Sequence, residues 1–208
     1  MMQIFTEYKA EEFLEKEGFP VAERKLFHSK EWAFSYAKSL GFPVVLKIAS
    51  DKLLHKTELN AVRLNVNSDN FYNIYNELEK YKIEKHGIVV QKYVNGKYLI
   101  IGVKNDSTFG HVILAGIGGI FAELINDVSF RVLPIAKKDC LEMLKELKGY
   151  KLLSGFRGDK VNVNAVVNVM LKISKLINKY PEIQELDINP LVANSRDTKI
   201  VDARIVFS

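Results

Sequence analysis

The stretch Gly87–Val103, GIVVQKYVNGKYLIIGV, decides the fold class. Ile88-Val89-Val90 is a β-branched run and reads as a strand. Asn95-Gly96 separates it from a second apolar run, Tyr98–Val103. That dipeptide favours the positive φ angles of a type I′ turn, so the segment reads as a hairpin. Toward the N-terminus, helices are predicted over 6–17, with Thr6 as cap and Gly18 and Pro20 as stops, and over 29–40, closed by Gly41. Strands are predicted over 43–48 and 62–66, with a polar loop at 50–57. A helix over 69–81 carries Phe71, Ile74, Leu78 and Tyr81 on one face. Toward the C-terminus, a strand at 112–114 enters a cluster of Gly116, Gly118 and Gly119. Helices over 138–148 and 163–178 follow, and strands over 183–192 and 199–207 close the chain around the turn Asn194–Asp197. Regular strand–helix alternation is missing, which argues against a doubly wound sheet. The order predicts two α+β lobes split near Gly87–Gly96, about 1–90 and 91–208.

Composition narrows the function. With 48% hydrophobic and 26% charged residues, the chain is neither disordered nor a disulfide scaffold, and 208 residues bury a sizeable core. The net charge of +5 suits anionic small molecules as well as nucleic acid. The basic residues are scattered and no recognition motif is visible, so a nucleic-acid binder is the weakest reading. The single cysteine, Cys140, permits no internal disulfide and fits a reducing compartment; in DCLEMLKEL it reads as a packing residue. The longest apolar run, 112–122, is far short of the roughly 20 residues of a membrane helix, and the N-terminus turns acidic early, so a cytoplasmic protein is expected.

Several residues have the chemistry of phosphoryl transfer, each with a plainer rival reading. Lys47 ends an apolar strand, where it either extends its head to solvent or meets a phosphate. His55 stands beside Lys56 and Thr57, a setting for a neutral imidazole that accepts and releases a phosphoryl group; a lone loop histidine is more often structural. The run GIGGIF lacks the third glycine of a dinucleotide-binding loop, and close packing explains it equally well. Alternation puts Asp187 and Asn189 on one face of a strand, with Asp202 on the next strand if the two pair. Few, hard oxygen ligands are what magnesium takes when phosphates and water complete its shell. Arg131 and Arg157 are candidate phosphate binders by their planar fork, or surface ion-pair residues.

Taken together, GFPVVLKIASDKLLHKTE, IVVQKYV, IGVKNDSTFG, GIGGIFAELINDVSFRVLPI, LLSGFRG, PEIQELDINPLV and VDARI resemble, in order and over nearly the whole chain, the β subunit of ADP-forming (NDP-forming) acyl-CoA synthetases of the acetate–CoA ligase type, relatives of succinyl-CoA synthetase. The resemblance implies an ATP-grasp fold, two α+β lobes with nucleotide between them. It implies that Lys47 contacts nucleotide phosphates, that Leu54, His55 and Lys56 form the loop over them, and that the segment Gln91 to Val94 holds adenine. Asn189 and Asp202 would bind Mg2+. His55 would receive a phosphoryl group from a histidine of an α subunit and pass it to ADP. The implied reaction is acyl-CoA + ADP + phosphate ⇌ acid + CoA + ATP. The α partner would carry the CoA-binding domain in a hetero-oligomer. The alternative is a nucleotide-sensing module regulating an acyl-CoA-dependent partner. Two departures bear on that choice: Asn60-Ala61 stands where the family usually has two glycines, which is expected to stiffen the loop, and Tyr98 stands where the family has a glutamate.

Overall fold

The computed structural model describes residues 2–52, 60–118, 127–155 and 159–208. It divides into two compact units, Ala22–Val94 and the remainder, Met1–Val21 with Asn95–Ser208.

The smaller unit is a four-stranded antiparallel sheet in the order β2-β5-β3-β4, formed by β2 (Arg24–Phe27), β3 (Val44–Ala49), β4 (Val62–Val66) and β5 (Gly87–Lys92). Its two helices are α1's successors in the chain, α2 (Lys30–Leu40) and α3 (Phe71–Glu79), where α1 is Glu7–Lys16 of the larger unit. Ser29 caps α2 by accepting from Trp32 N at 3.4 Å, and Gly41 ends it at a φ of 81°. Alternate residues Val44, Leu46 and Ile48 of β3 and Ile88 and Val90 of β5 form one core with Ala33, Ala37, Phe71, Tyr75 and Leu78 of the helices. That core uses one face of the sheet. The intervening residues Val45, Lys47, Val89 and Gln91 therefore lie on the face turned away from the helices.

The larger unit is a seven-stranded sheet. Six strands run in the order β1-β11-β9-β6-β7-β8, and β10 also pairs with β9. They are β1 (Gln3–Phe5), β6 (Lys97–Asp106), β7 (Gly110–Ile117), β8 (Val128–Val132), β9 (Ile183–Ala193), β10 (Thr198–Ile200) and β11 (Ala203–Phe207). Helices α1, α4 (Lys137–Glu146), α5 (Tyr150–Leu153) and α6 (Val163–Lys179) belong to the same unit. Leu99, Ile101 and Val103, Ile113 and Ala115, and Leu186 and Ile188 share its core with Ala10 and Leu14 of α1, Met143 and Leu144 of α4 and Met170 and Ile173 of α6.

Two expectations need correction. Asn95-Gly96 is not a hairpin turn: β5 pairs with β2 and β3, whereas β6 pairs with β7 and β9, so the dipeptide carries the chain from one sheet to another. Neither residue takes a positive φ. Glycine is needed at position 96 for space, because an added Cβ would lie 2.5 Å from the Ala193 carbonyl oxygen. The true hairpin joins β6 to β7 through Ser107-Thr108-Phe109. Asp106 Oδ1 accepts from Thr108 N at 2.8 Å and Phe109 N at 3.0 Å, and Gly110 supplies a φ of 71°. The second correction concerns the first lobe. Residues up to Val21 belong to the larger unit because β1 pairs with β11, Gln3 opposite Phe207, and Val21 bridges Ile200.

Candidate functional site

The candidate site residues within the described structure fall into two groups, one in each unit. In the smaller unit, register places Lys47 opposite Val89 and Val45 opposite Gln91, so Lys47 and Gln91 share the helix-free face. Both are buried, at 4% and 1% exposure. An ammonium and an amide withdrawn this far from water act on an anion through a weaker dielectric screen than a surface lysine does. Val94, half-buried, is the last residue of the smaller unit.

In the larger unit, β9 carries Asp187 and Asn189, two of the candidate oxygen donors. Leu186 and Ile188 point into the core, and Asp187 and Asn189 stand on the opposite, open face, as alternation requires. Around Asn189 the ladder is irregular. Leu99 pairs with Leu191 and Ile101 with Ile188, so Ile100 alone opposes Asn189 and Pro190, the two-against-one arrangement of a β-bulge. On the other side, the pairing passes from β10 to β11 at Val201-Asp202. Asn189 N donates to Asp202 O at 3.2 Å, and Val201 N donates to Pro190 O at 3.3 Å. The two interruptions coincide and set the backbones of Asn189 and Asp202 side by side on adjacent segments. Among the described residues no group of three or more His, Cys, Asp or Glu side chains could hold a metal ion. An asparagine and an aspartate offer hard oxygen donors, and too few to enclose a cation. That fits a magnesium ion whose remaining positions are filled by phosphate and water.

Asp187 is the neighbour that sequence reasoning left without a role. It pairs with Arg204 on β11 and with Gly102 on β6. Although it stands on the open face, crowding by the surrounding protein pushes its carboxyl above the usual carboxylate range; Arg204 opposes the shift and Glu185 adds to it. A Cβ on Gly102 would meet Asp187 Oδ1 at an ordinary contact distance of 3.9 Å, so the glycine is not what seats this side chain. The signal was present in the sequence as an arginine two residues after Asp202, but only strand register identifies its partner.

Arg131 lies on β8, separated from β9 by β7 and β6. Its guanidinium is engaged by Glu146, with Nη1 donating to Oε2 at 3.1 Å and Nη2 donating to Oε1, and Nη1 also donates to Phe130 O at 2.8 Å. This ion pair raises the arginine's pKa and lowers that of Glu146. The fork that would meet a phosphate is engaged by Glu146 in this structure, which favours the ion-pair reading of Arg131. Two glycines of the GIGGIF run are explained by close packing. A Cβ on Gly116 would meet Val128 Cγ1 at 2.9 Å, and one on Gly118 would meet the Tyr98 backbone at 3.1 Å. Leu54, His55, Lys56 and Arg157 lie outside the described residues. At the border of the His55 segment, Asn60 takes a φ of 51°, the left-handed region that glycine favours, and Ala61 is fully buried.

A family model described as an ATP-grasp domain matches residues 2–207. The chain belongs to the ATP-grasp family. This ATP-grasp chain is 38% identical to the β subunit of ADP-forming acetate–CoA ligase I of Pyrococcus furiosus, over 97% of its own length and 90% of that subunit, and it belongs with these ligase subunits. Solved structures of acetyl-coenzyme A synthetase 1 of Candidatus Korarchaeum cryptofilum are similar over 99% of this chain. The complex with coenzyme A and Ca-AMPCP matches with a TM-score of 0.92 at 37% identity and is covered over 94% of its chain. The complex with coenzyme A and Mg-AMPPCP, whose phosphohistidine segment points toward the nucleotide-binding site, matches at 0.84 and 36%, covered over 93%. Among the described residues no helix is long and apolar enough to cross a membrane.

Proposed function

We propose that this chain is the nucleotide-binding β subunit of an ADP-forming acetate or acyl-CoA ligase, in which His55 relays a phosphoryl group between a partner subunit and ADP. The observation that carries the reading is the pairing of Asn189 with Asp202 at the coincident breaks in β9 and β10–β11. It brings together the backbones of two residues with oxygen donors of the right hardness, which supports a magnesium site there. The family relation and the buried Lys47 and Gln91 support it.

Phosphoryl transfer requires positioning and charge neutralisation more than covalent chemistry from the protein. Lys47 neutralises phosphate oxygens from a site where water screens it little. The segment Gln91 to Val94 positions adenine. Asn189 and Asp202 hold Mg2+, which supplies positive charge to the transferring phosphate when bound. The neutral His55 imidazole takes the phosphoryl group from a partner histidine, forming one N–P bond as the other breaks. An oxygen of the β-phosphate of ADP then attacks phosphorus, the His55 N–P bond breaks, and ATP leaves. The partner is an α subunit carrying the CoA-binding domain and the first phosphohistidine, so the working assembly is a hetero-oligomer. A relative named as a β subunit supports that division of labour. A cytoplasmic location is part of the same proposal.

The test is phosphorylation of the purified chain with labelled ATP and magnesium. Acid-labile, base-stable label is expected on the wild type and none on His55→Asn. Asp202→Asn is expected to slow labelling at least about tenfold, the loss of one charged ligand interaction of about 1.5–3 kcal/mol. Label that appears only when the α subunit is added keeps the proposal. Nucleotide binding without label even then overturns it and favours the sensing module.

A further inference from the structure

A cleft of about 320 Å³ opens on the helix-bearing side of the larger sheet, between α6, the Gly18–Pro20 segment and the turn that precedes β10. Asp187 and Asn189 stand on the other, open face of that sheet, so the cleft is no part of the magnesium-binding pair. Lys172, Arg196 and Lys199 line it, with Asn168 as a neutral donor and Asp197 as its one carboxylate.

The three cations are placed by separate means. Lys172 Nζ donates to the Gly18 carbonyl and lies 5.7 Å from the centroid of the Phe19 ring, which holds its head at one wall. The turn carrying Arg196 is built by Asn194, whose Oδ1 accepts from Arg196 N at 2.9 Å and from Asp197 N at 3.0 Å. Asn162 Nδ2 then donates to Arg196 O at 2.8 Å. Lys199 follows on β10, which is held by Ile200 N donating to Pro20 O at 2.8 Å. The backbone on both sides of the cleft is thus fixed before any ligand arrives. Among the described residues no acidic side chain pairs with Arg196 or Lys199. A surface that spreads its lysines can leave them solvated singly. A concave wall that gathers three cations around one carboxylate focuses positive potential on its interior. Arginine's planar fork matches phosphate oxygens, and the volume falls at the lower end of the range of small-molecule sites, about 300–1,000 Å³.

We propose that this cleft binds a small phosphate-bearing anion, at a second site separate from the nucleotide site. The inference stands on the larger unit alone and does not depend on the phosphoryl-relay reading.

The experiment is isothermal titration of the full chain with inorganic pyrophosphate in magnesium-containing buffer, with Mg-AMPPCP present at saturation to occupy the nucleotide site. About one equivalent of pyrophosphate is expected to bind under these conditions. Arg196→Ala/Lys199→Ala should weaken it at least about tenfold, since two charge-assisted contacts are lost, without changing AMPPCP affinity. Arg196 is exposed and Lys199 half-buried, so this variant removes charge without opening the core. Asp197→Asn, which removes the opposing carboxylate, should tighten binding. Pyrophosphate binding that AMPPCP abolishes overturns the proposal. So does a double variant that binds within about twofold of wild type, or an Asp197→Asn variant that binds more weakly.

Discussion

Asn60 offers a quantitative test at the edge of the segment proposed to carry the phosphorylated histidine. It sits at a φ of 51°, and its carbonyl accepts from Arg63 Nη1 and from Tyr81 OH at 3.4 Å. The next residue, Ala61, is fully buried and its carbonyl accepts from Ile48 N at 3.0 Å, so the left-handed conformation is imposed from both sides. Left-handed backbone costs an ordinary L-residue about 1–2 kcal/mol, and asparagine less, because its short polar side chain tolerates it. Asn60→Gly removes the remaining strain but adds about 0.5–1 kcal/mol of unfolded-state freedom. The two nearly cancel, and the expected change is within about 0.5 kcal/mol. Asn60→Val combines β-branching with the full penalty and should cost about 1.5 kcal/mol relative to asparagine. For a unit the size of Ala22–Val94, that corresponds to a fall of about 6–12 °C in its melting transition. Calorimetry of the three proteins measures the stability, and phosphate labelling of His55 measures the consequence. Labelling well below the melting temperature should be unchanged in the glycine variant and slower in the valine variant. A valine variant as stable as wild type, or a glycine variant less stable by more than about 1 kcal/mol, refutes the argument that the backbone geometry explains the residue.

Two further outcomes are expected. Asp127, 8% exposed, accepts from Lys148 N and Gly149 N, each at 2.7 Å. Asp127→Ala strips both charge-assisted bonds and should cost about 3 kcal/mol, with Asp127→Asn losing about half; urea titration of the two variants checks this ratio. Asp187 carries a carboxyl raised chiefly by desolvation, so its charged form disfavours the folded state above the folded-state pKa. Stability from this group rises as pH falls through that pKa, because the folded state then takes up the proton first. Asp187→Asn should therefore raise the melting temperature at pH 7, with the gain shrinking as pH falls toward about 4. A pH-independent difference, or a loss of stability at pH 7, counts against it.

Local features were legible where one element's own residues suffice. The helices at 7–16, 30–40, 71–79, 137–146 and 163–179 follow from caps, stops and apolar periodicity, and α3 buries Phe71 and Leu78 as its pattern requires. β1 and β2 were missed because three or four residues are too short to show alternation. β8 alternates in its sequence, Val-Ser-Phe-Arg-Val; what the pattern does not show is that Val128, Phe130 and Val132 face outward, at 38%, 53% and 50% exposure, while Ser129 is buried. The site divides the same way. Asp187 and Asn189 share a face by strand geometry alone, whereas Arg131's engagement with Glu146 joins β8 to α4 and has no signature in either segment.

The helices, most of the strands and the ordered family motifs are written in local sequence, which also supplies the candidates for phosphoryl transfer. Each of these depends on neighbours a few positions apart, where dihedral preference and periodicity act directly. Tertiary structure decided what Asn95-Gly96 does, where residues 3–5 belong and which strand faces Asn189. Those outcomes depend on which distant segment supplies the hydrogen bonds. A turn preference within one dipeptide is weak beside the ladders that commit β5 to one sheet and β6 to another, and beside an Ala193 carbonyl that leaves no room for a side chain at position 96.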